Sequence, residues 1–448
     1  MISNLVIAWR CRDGVALAPG ADDIVSLTID HDRRIELRIA SPKASDALLR
    51  LGCGADEGSL LGALGGDEHS VALLFYYLER LRRYGLLVAD VRRKDQLLMT
   101  LVPRSRHFDV ALPRATEGTW QLSRFAYLRR DGEDLVLECP EAACIAHLKS
   151  REVVGWLHEA SRPTTAEAGT PQAQLLALLA ELGFLINPGS EESDAQRTWE
   201  FHDRLFHNRA RQYDDFQPRG GTYRFRDRLP SPPAIRPAYA GETAHLTTPE
   251  RRASRPLLEV IDERRSRREM GSRPVSRDQV ADLLYRVARV REVLPAPLQD
   301  RLLRPYPSGG AIHELEFYLA VGACDGLATG FYHYRGTEHA LTRLESGAAP
   351  AQEMLASAWD PPGEPPQCLI VLASRLPRLA WKYEANAYKL SLLNAGVVLQ
   401  SLYLVCTELG LNGAAVDSGR SELFATATNT SSWEETSIAE FGFGSRPD

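Results

Sequence analysis

Apolar and polar residues alternate over Arg34-Ile-Glu-Leu-Arg-Ile39, and Asp134-Leu-Val-Leu137 is a short apolar run; each predicts a strand. A helical rhythm over residues 71–84 closes at Gly85, a residue suited to a helix C-cap. The runs Leu86-Leu-Val-Ala-Asp-Val91 and Leu97-Leu-Met-Thr-Leu-Val102 then predict a two-stranded wing. The pattern returns downstream. Pro42 closes Ile39-Ala-Ser-Pro as Pro140 closes Leu137-Glu-Cys-Pro, and 140 − 42 = 98. Gly85 and Gly183 each end a helical run before a strand, and 183 − 85 = 98. Two anchors sharing one offset point to a repeated unit. Hairpin, helices and wing predict two winged-helix-like modules, at 1–104 and 105–190. The plainer alternative is two small α+β modules that match by accident.

Residues 191–250 read as a linker with one helix, expected over 198–211, followed by the proline-dense run Pro230-Ser-Pro-Pro-Ala-Ile-Arg-Pro237. His202 and His207 lie five apart and do not share a helix face, so no metal site is expected.

From 251 to 448 helices and strands alternate. Residues 281–289 predict a helix and Leu315-Glu-Phe-Tyr-Leu-Ala-Val321 a strand. A hairpin is predicted around Arg335-Gly336, and a buried strand at Cys368-Leu-Ile-Val-Leu-Ala373. Residues 386–409 predict a long helix that is apolar almost all round, hence buried in a core or between subunits. A last strand is expected at Ser437-Ile-Ala-Glu-Phe-Gly-Phe443.

Composition narrows the function classes. Of 448 residues, 44% are hydrophobic and 25% charged, an ordinary globular profile. A net charge of −6 argues against nucleic-acid binding as the main work. The first residues show no signal-peptide pattern, and the seven scattered cysteines contain no Cys-x-x-Cys. The expectation is a cytoplasmic protein with reduced thiols and no membrane span.

Three stretches carry chemistry. Glu263-Arg-Arg-Ser-Arg-Arg-Glu-Met270 sets four arginines beside a serine, a pattern that can grip phosphate oxygens or simply end a solvated helix. Arg304-Pro-Tyr-Pro-Ser-Gly-Gly-Ala311 lets backbone N–H groups approach a ligand closely, or is only a turn. Trp381-Lys-Tyr-Glu384 puts a cation and a phenol where a loop enters the long helix. Both residue types titrate near pH 10 in model peptides, so acting as a base at neutral pH requires burial or a neighbouring charge. The plain alternative is a snorkelling lysine and a packing tyrosine.

Taken in order, these stretches resemble the SagB-type dehydrogenases of the nitroreductase superfamily, which include the azoline oxidases. Supporting stretches are Asp325-Gly-Leu-Ala-Thr-Gly-Phe-Tyr-His-Tyr334 and Gly442-Phe-Gly-Ser-Arg-Pro447. The resemblance covers about 250–448 and extends more weakly over 105–240. It implies an α+β fold: a C-terminal nitroreductase-like FMN domain, an antiparallel sheet flanked by helices, preceded by the two winged-helix-like modules. It implies FMN held by Arg264, Arg265, Ser266 and Arg268, with Ser445 and Arg446 near the phosphate. Ser308, Gly309 and Gly310 would touch the flavin, from the same subunit or its partner in a homodimer. Val416 and Ser418 mark the turn after the long helix, and Lys382 and Tyr383 match the pair assigned to azoline oxidation. Three features depart from the family pattern. Ile312-His313-Glu314 replaces the usual Leu-Tyr-Pro, the turn reads Val416-Asp417-Ser418-Gly419, and Tyr388-Lys389 stands where an arginine is common.

The implied reaction is dehydrogenation of peptide thiazolines or oxazolines to thiazoles or oxazoles. The substrate would be a modified precursor peptide or a carrier-bound equivalent, with a cyclodehydratase as partner and the N-terminal modules binding peptide. Two rivals come from other classes: an NAD(P)H-dependent flavin reductase, and a non-catalytic winged-helix regulator that binds peptide or nucleic acid.

Overall fold

The computed structural model describes residues 5–21, 24–30, 33–189, 192–211, 214–250, 254–359, 364–416 and 418–447. It divides into two compact units, Met1–Pro218 and Arg219–Asp448.

In the first unit the strands Val15–Pro19, Ile24–Ile29 and Arg33–Arg38 form a small antiparallel sheet. In the last of these Ile35 and Leu37 turn inward while Arg34, Glu36 and Arg38 face solvent, as the alternation predicted. Ser41 caps the next helix, Pro42–Leu49, by accepting a bond from Ala44 N at 3.1 Å, and the proline stands in its first turn, where it costs no backbone bond. The helix expected over 71–84 runs Glu68–Arg83, and Gly85 follows it with φ +65°.

The expected wing strands do form, Leu87–Arg93 and Gln96–Pro103, but they belong to a larger sheet of seven strands. Gln96–Pro103 pairs on its far side with Cys144–Leu148, so the sheet runs across the boundary expected at 104/105 and both modules share it. The physical reason lies in Leu98, Met99 and Leu101, all fully buried: a strand apolar on both faces needs cover and neighbours on both sides. The repeat is partial. Gly85 and Gly183 both close helices at positive φ, yet Pro42 opens a helix whereas Pro140 lies in the turn between the strands Asp134–Glu138 and Cys144–Leu148. The helix expected over 198–211 forms as Phe201–Ala210. The unit boundary at 218/219 falls inside the stretch expected to be a linker, and Thr243–His245 of that stretch adds an edge strand to the second unit.

The second unit is a seven-stranded antiparallel sheet between two layers of helices. Its order is Thr243–His245, Ala340–Leu344, Gly330–Arg335, Leu315–Val321, Cys368–Ser374, Thr436–Ser445, Leu411–Val416. One face packs on Arg277–Ala288 and Ala387–Glu408, and the other on Ala348–Ala356 and Ser421–Thr428. The central strands Leu315–Val321 and Cys368–Ser374 are buried along their whole length, as strands covered on both faces must be.

The long helix, Ala387–Glu408, ends before Gly410 at φ +71°. It buries Ser391, Asn394, Ala395, Val398, Leu402 and Cys406, the spacing of one helical face. Tyr388, Leu392, Leu393 and Val397 on the opposite side are exposed, and so are Leu257, Leu258 and Ile261 of the neighbouring helix Leu257–Glu263. The apolar character read from the sequence is therefore satisfied on one face only within a single chain. By length and composition alone this helix could also cross a membrane.

Candidate functional site

The residues singled out in the sequence gather into two clusters along the long helix. The first surrounds the Ser-Gly-Gly turn. Gly310 has φ +63°, and two non-glycine residues nearby share that rare region, Ala311 at +58° and His313 at +47°. Such backbone persists only where its surroundings over-determine it. Here side chains do so. Ser308 Oγ accepts from His313 N at 3.1 Å and from Asn394 Nδ2 at 3.0 Å, while Gly309 N donates to Asn394 Oδ1 at 3.2 Å. Arg378, fully buried, donates to the carbonyls of Ile312, Asp300 and Pro232 and so fixes the exit of the turn.

Lys382 ends the helix Leu376–Lys382, and Tyr383 follows in extended conformation with its N–H still bonded to Leu379 O at 2.7 Å. Both side chains are half-buried and press against Gly310: a Cβ on that glycine would collide with Tyr383 Oη and lie 2.5 Å from Lys382 Nζ. A second segment flanks the lysine. Thr222 N and Tyr223 N both donate to Lys382 O, at 2.9 and 3.2 Å. Lys382 Nζ then lies between two phenol rings, 5.8 Å from the Tyr223 centroid and 5.3 Å from that of Tyr383.

Beneath the turn lies Glu314, fully buried. Burial raises its pKa, opposed by bonds from Asn394, its own backbone, Ser391 and Ser308. Burial, with Arg304 and Arg378 adding to it, holds the adjacent His313 down to about 3, so the imidazole is neutral.

The second cluster gathers Arg264, Arg265, Ser266 and Arg268 with the end of the last strand. After Glu263 the chain leaves the helix and runs extended. Arg267 N donates to Gly413 O at 3.1 Å, Asn412 Nδ2 to Glu269 O at 2.7 Å, and Gly271 N to Ser445 O at 2.9 Å. Gly271 must be glycine, because a Cβ would strike Arg446 O and approach Ser445 Oγ to 2.7 Å. Ser266 Oγ bonds Tyr403 Oη at 2.9 Å, and that phenol also accepts from Ala415 N at 2.9 Å. The Arg264 guanidinium lies 5.3 Å from the Tyr403 ring centre and that of Arg268 5.6 Å from Trp359. Among the described residues, Arg264, Arg265, Arg267 and Arg268 form no salt bridge, while Glu263 is paired with Arg255 and Arg446. A group of cations without acidic partners suits an oxyanion. Ser445 and Arg446 lie beside this cluster but are partly committed: Ser445 Oγ donates to Arg273 O at 2.6 Å, and Arg446 bonds Glu263 at 2.8 Å.

Val416 pairs with Glu440 across the last two strands. Burial raises Glu440 to about 7, a bond from Ser437 opposing it, and Gly419 lies hard against its carboxylate. Ser418 is exposed on this turn, whose Asp417 lies outside the described residues. In one chain the two clusters stand apart: Asn394 and Tyr403 are nine residues apart on the helix, roughly 13 Å of rise.

The comparisons with known proteins fall on the same segments. Residues 261–443 match the nitroreductase family, and residues 120–214 match the cyanobactin oxidase ThcOx family. The second unit thus carries a segment similar to the nitroreductase family. A Methanocaldococcus jannaschii protein described as a nitroreductase is 27% identical over 184 residues, 39% of this chain and 85% of that one. The trifolitoxin-processing protein TfxB of Rhizobium leguminosarum bv. trifolii is 27% identical over 135 residues, 29% of this chain. That match spans only 36% of the Rhizobium protein's own length. Among solved structures, the E. coli microcin synthetase McbBCD complex with truncated pro-MccB17 aligns at 18% identity and a TM-score of 0.36, covering 58% of this chain and 99% of that one. The nitroreductase-family segment contains both clusters apart from Thr222, Tyr223, Pro232, Arg255, Ser445 and Arg446. Sequence reading missed Glu314 as a partner of the turn, Asn394, Tyr223 and Tyr403. Glu314 left a signal as a departure from the family pattern, and Tyr223 as part of the stretch Gly220-Gly-Thr-Tyr-Arg-Phe225, which resembles the family but was given no role.

Proposed function

We propose that this protein is an FMN-dependent oxidase that dehydrogenates azoline rings in a modified peptide to thiazoles or oxazoles. The observation that carries the reading is the contact of Lys382 and Tyr383 with Gly310, which puts a cation and a phenol beside a turn able to lie against a flat ligand. The residues fit the cofactor. Arg264, Arg265, Ser266 and Arg268 would bind its phosphate end, helped by Arg446, and the Ser308–Gly310 backbone would face its ring, with Val416 and Ser418 lining the approach. FMN, when bound, supplies the two-electron acceptor. One of the pair, Tyr383 or Lys382, takes the proton from the azoline Cα in its deprotonated form, and the other stabilises the charge that develops.

A symmetric homodimer explains the exposed apolar face of Tyr388, Leu392, Leu393 and Val397 and its neighbours Leu257, Leu258 and Ile261. It would also let the two separated clusters combine across subunits. Light scattering should give twice the chain mass of 49.8 kDa, and a monomer at micromolar concentration would contradict the dimer.

The first unit suits peptide recognition in the cytoplasm. Among the described residues strand Arg33–Arg38 pairs on one side only, and a groove of about 450 Å³ runs between it and the helix Glu68–Arg83, lined by Ile35, Leu37, Tyr77 and Leu81 with Arg33 and Arg80. An extended precursor peptide could add there as a further strand, delivered by a cyclodehydratase.

The test is to incubate the purified protein, supplied with FMN, with a cyclised azoline peptide and oxygen. The expected result is loss of the mass of two hydrogen atoms per ring. Rapid NAD(P)H oxidation with nitro or quinone substrates and no change in the peptide would replace this reading by a reductase.

A further inference from the structure

The departure Ile312-His313-Glu314 puts a carboxylate under the turn that contacts Lys382 and Tyr383. Its surroundings are unusual for a buried acid. Asn394 Nδ2 lies 3.1 Å from Oε1 and 3.0 Å from Oε2 of Glu314, Ser391 Oγ lies 3.0 Å from Oε1, and Ser308 Oγ lies 3.4 Å from Oε2. All three donors are neutral, and no cation is paired with this carboxylate among the described residues.

Donor and acceptor arithmetic makes the arrangement directional. Gly309 N donates to Asn394 Oδ1, which turns the amide's NH2 toward Glu314 and Ser308. Ser308 Oγ already accepts two bonds, from Asn394 and His313 N, so its single proton must point to Glu314. Glu314 thus receives the Ser308 proton directly and the Asn394 NH2 that the turn orients. Three positive-φ residues, Gly310, Ala311 and His313, are held between this network and the Lys382–Tyr383 pair.

We propose that Glu314, acting through Asn394 and Ser308, is a positioning residue that sets the Ser-Gly-Gly turn against Lys382 and Tyr383. It touches neither substrate nor cofactor. Its role in catalysis rests on the oxidase reading above, whereas its hold on the turn does not. Burial and the neutral donors around it make this a site where acceptor capacity matters and bulk does not.

The experiment reverses the polarity of the pair. Glu314→Gln keeps the shape but replaces one of the two oxygens on which Asn394, Ser391 and Ser308 converge by an NH2, so at least one donor is left facing a donor. Asn394→Asp sets two acceptors face to face. The double variant lets Gln donate to Asp, keeps an acceptor for Gly309 N and conserves the charge. Amide exchange over residues 308–313, read by mass spectrometry, should quicken roughly tenfold or more in each single variant and return close to wild type in the double. With FMN bound at undiminished content, the flavin visible band should shift in the single variants and revert in the double. A contact that serves stability alone would not move the flavin band. Single variants with wild-type exchange, or a double variant whose losses add instead of cancelling, would overturn the proposal. If Glu314→Gln fails to fold, Asn394→Asp and the double variant carry the same test. If wild type takes up no FMN, the oxidase reading falls, and the exchange data still decide the role of Glu314.

Discussion

The two clusters along the helix Ala387–Glu408 solve different problems with different materials. At the arginine end the backbone is laced to neighbouring strands, and Arg265, Arg267 and Arg268 are exposed and, among the described residues, form no salt bridge. At the turn end the backbone is strained and buried side chains hold it, with Glu314 inside and Lys382 and Tyr383 outside. Charge left free attracts a ligand, whereas geometry that is over-determined orients a reaction. On this view the arginine end governs occupancy and the turn end governs rate, and substitutions at the two ends should separate those quantities.

The largest effect is expected at the turn. Lys382→Ala and Tyr383→Phe should keep FMN but lose azoline oxidation by about 100- to 10,000-fold, the usual contribution of a general acid or base. Flavin absorbance and product mass are measured on the same samples. Full activity in both single variants and in the double variant would remove the pair from the mechanism, and loss of flavin together with rate would make the tyrosine structural.

At the other end Arg264→Glu or Arg268→Glu should empty the site while leaving the fold intact. Each removes a charge-assisted contact worth roughly 1.5–3 kcal/mol, about 10- to 100-fold in affinity. Fluorescence titration with FMN reads it, and the residual bound fraction should turn over at an unchanged rate. A variant that binds normally but turns over slowly would dissolve the contrast between the two ends.

The sequence made one side of this comparison more legible than the other. Four arginines around a serine stand out in the sequence as a candidate anion site, and Gly410 marks the end of the long helix to within a residue. The strand Leu315–Val321 was readable as a short apolar run, broken by Glu316, with the aromatics Phe317 and Tyr318. The network under the turn was not readable, because Glu314 and Asn394 are eighty residues apart and the asparagine sits inside a helix that otherwise reads as apolar. The shared sheet of the first unit was hidden for a related reason. An apolar strand such as Gln96–Pro103 states that it needs neighbours without naming Cys144–Leu148 as one of them. The exposed half of the long helix could not be separated from its buried half by hydrophobicity, since both halves are apolar.

The smallest effect expected is a pH dependence in which the regions around the two clusters pull in opposite directions. At the turn, burial depresses His313 to about 3 from an ordinary value of 6.5. Between those values the unfolded chain binds more protons than the folded one, so this residue costs stability as pH falls below 6.5. Near Val416 and Gly419, burial raises Glu440 to about 7 from 4.5. Between those values the folded chain binds the extra proton, so this residue costs stability as pH rises through 4.5 toward 7. Replacing Glu440 by glutamine keeps the shape and removes the ionisation. The variant should match wild type near pH 4.5 and gain on it steadily up to pH 8, by about 2 kcal/mol at most. Thermal unfolding at several pH values reads the difference. A gain that is the same at pH 5 and pH 8 would mean that the carboxylate is not held protonated, and that the turn at Val416–Ser418 tolerates a charge the geometry says it disfavours.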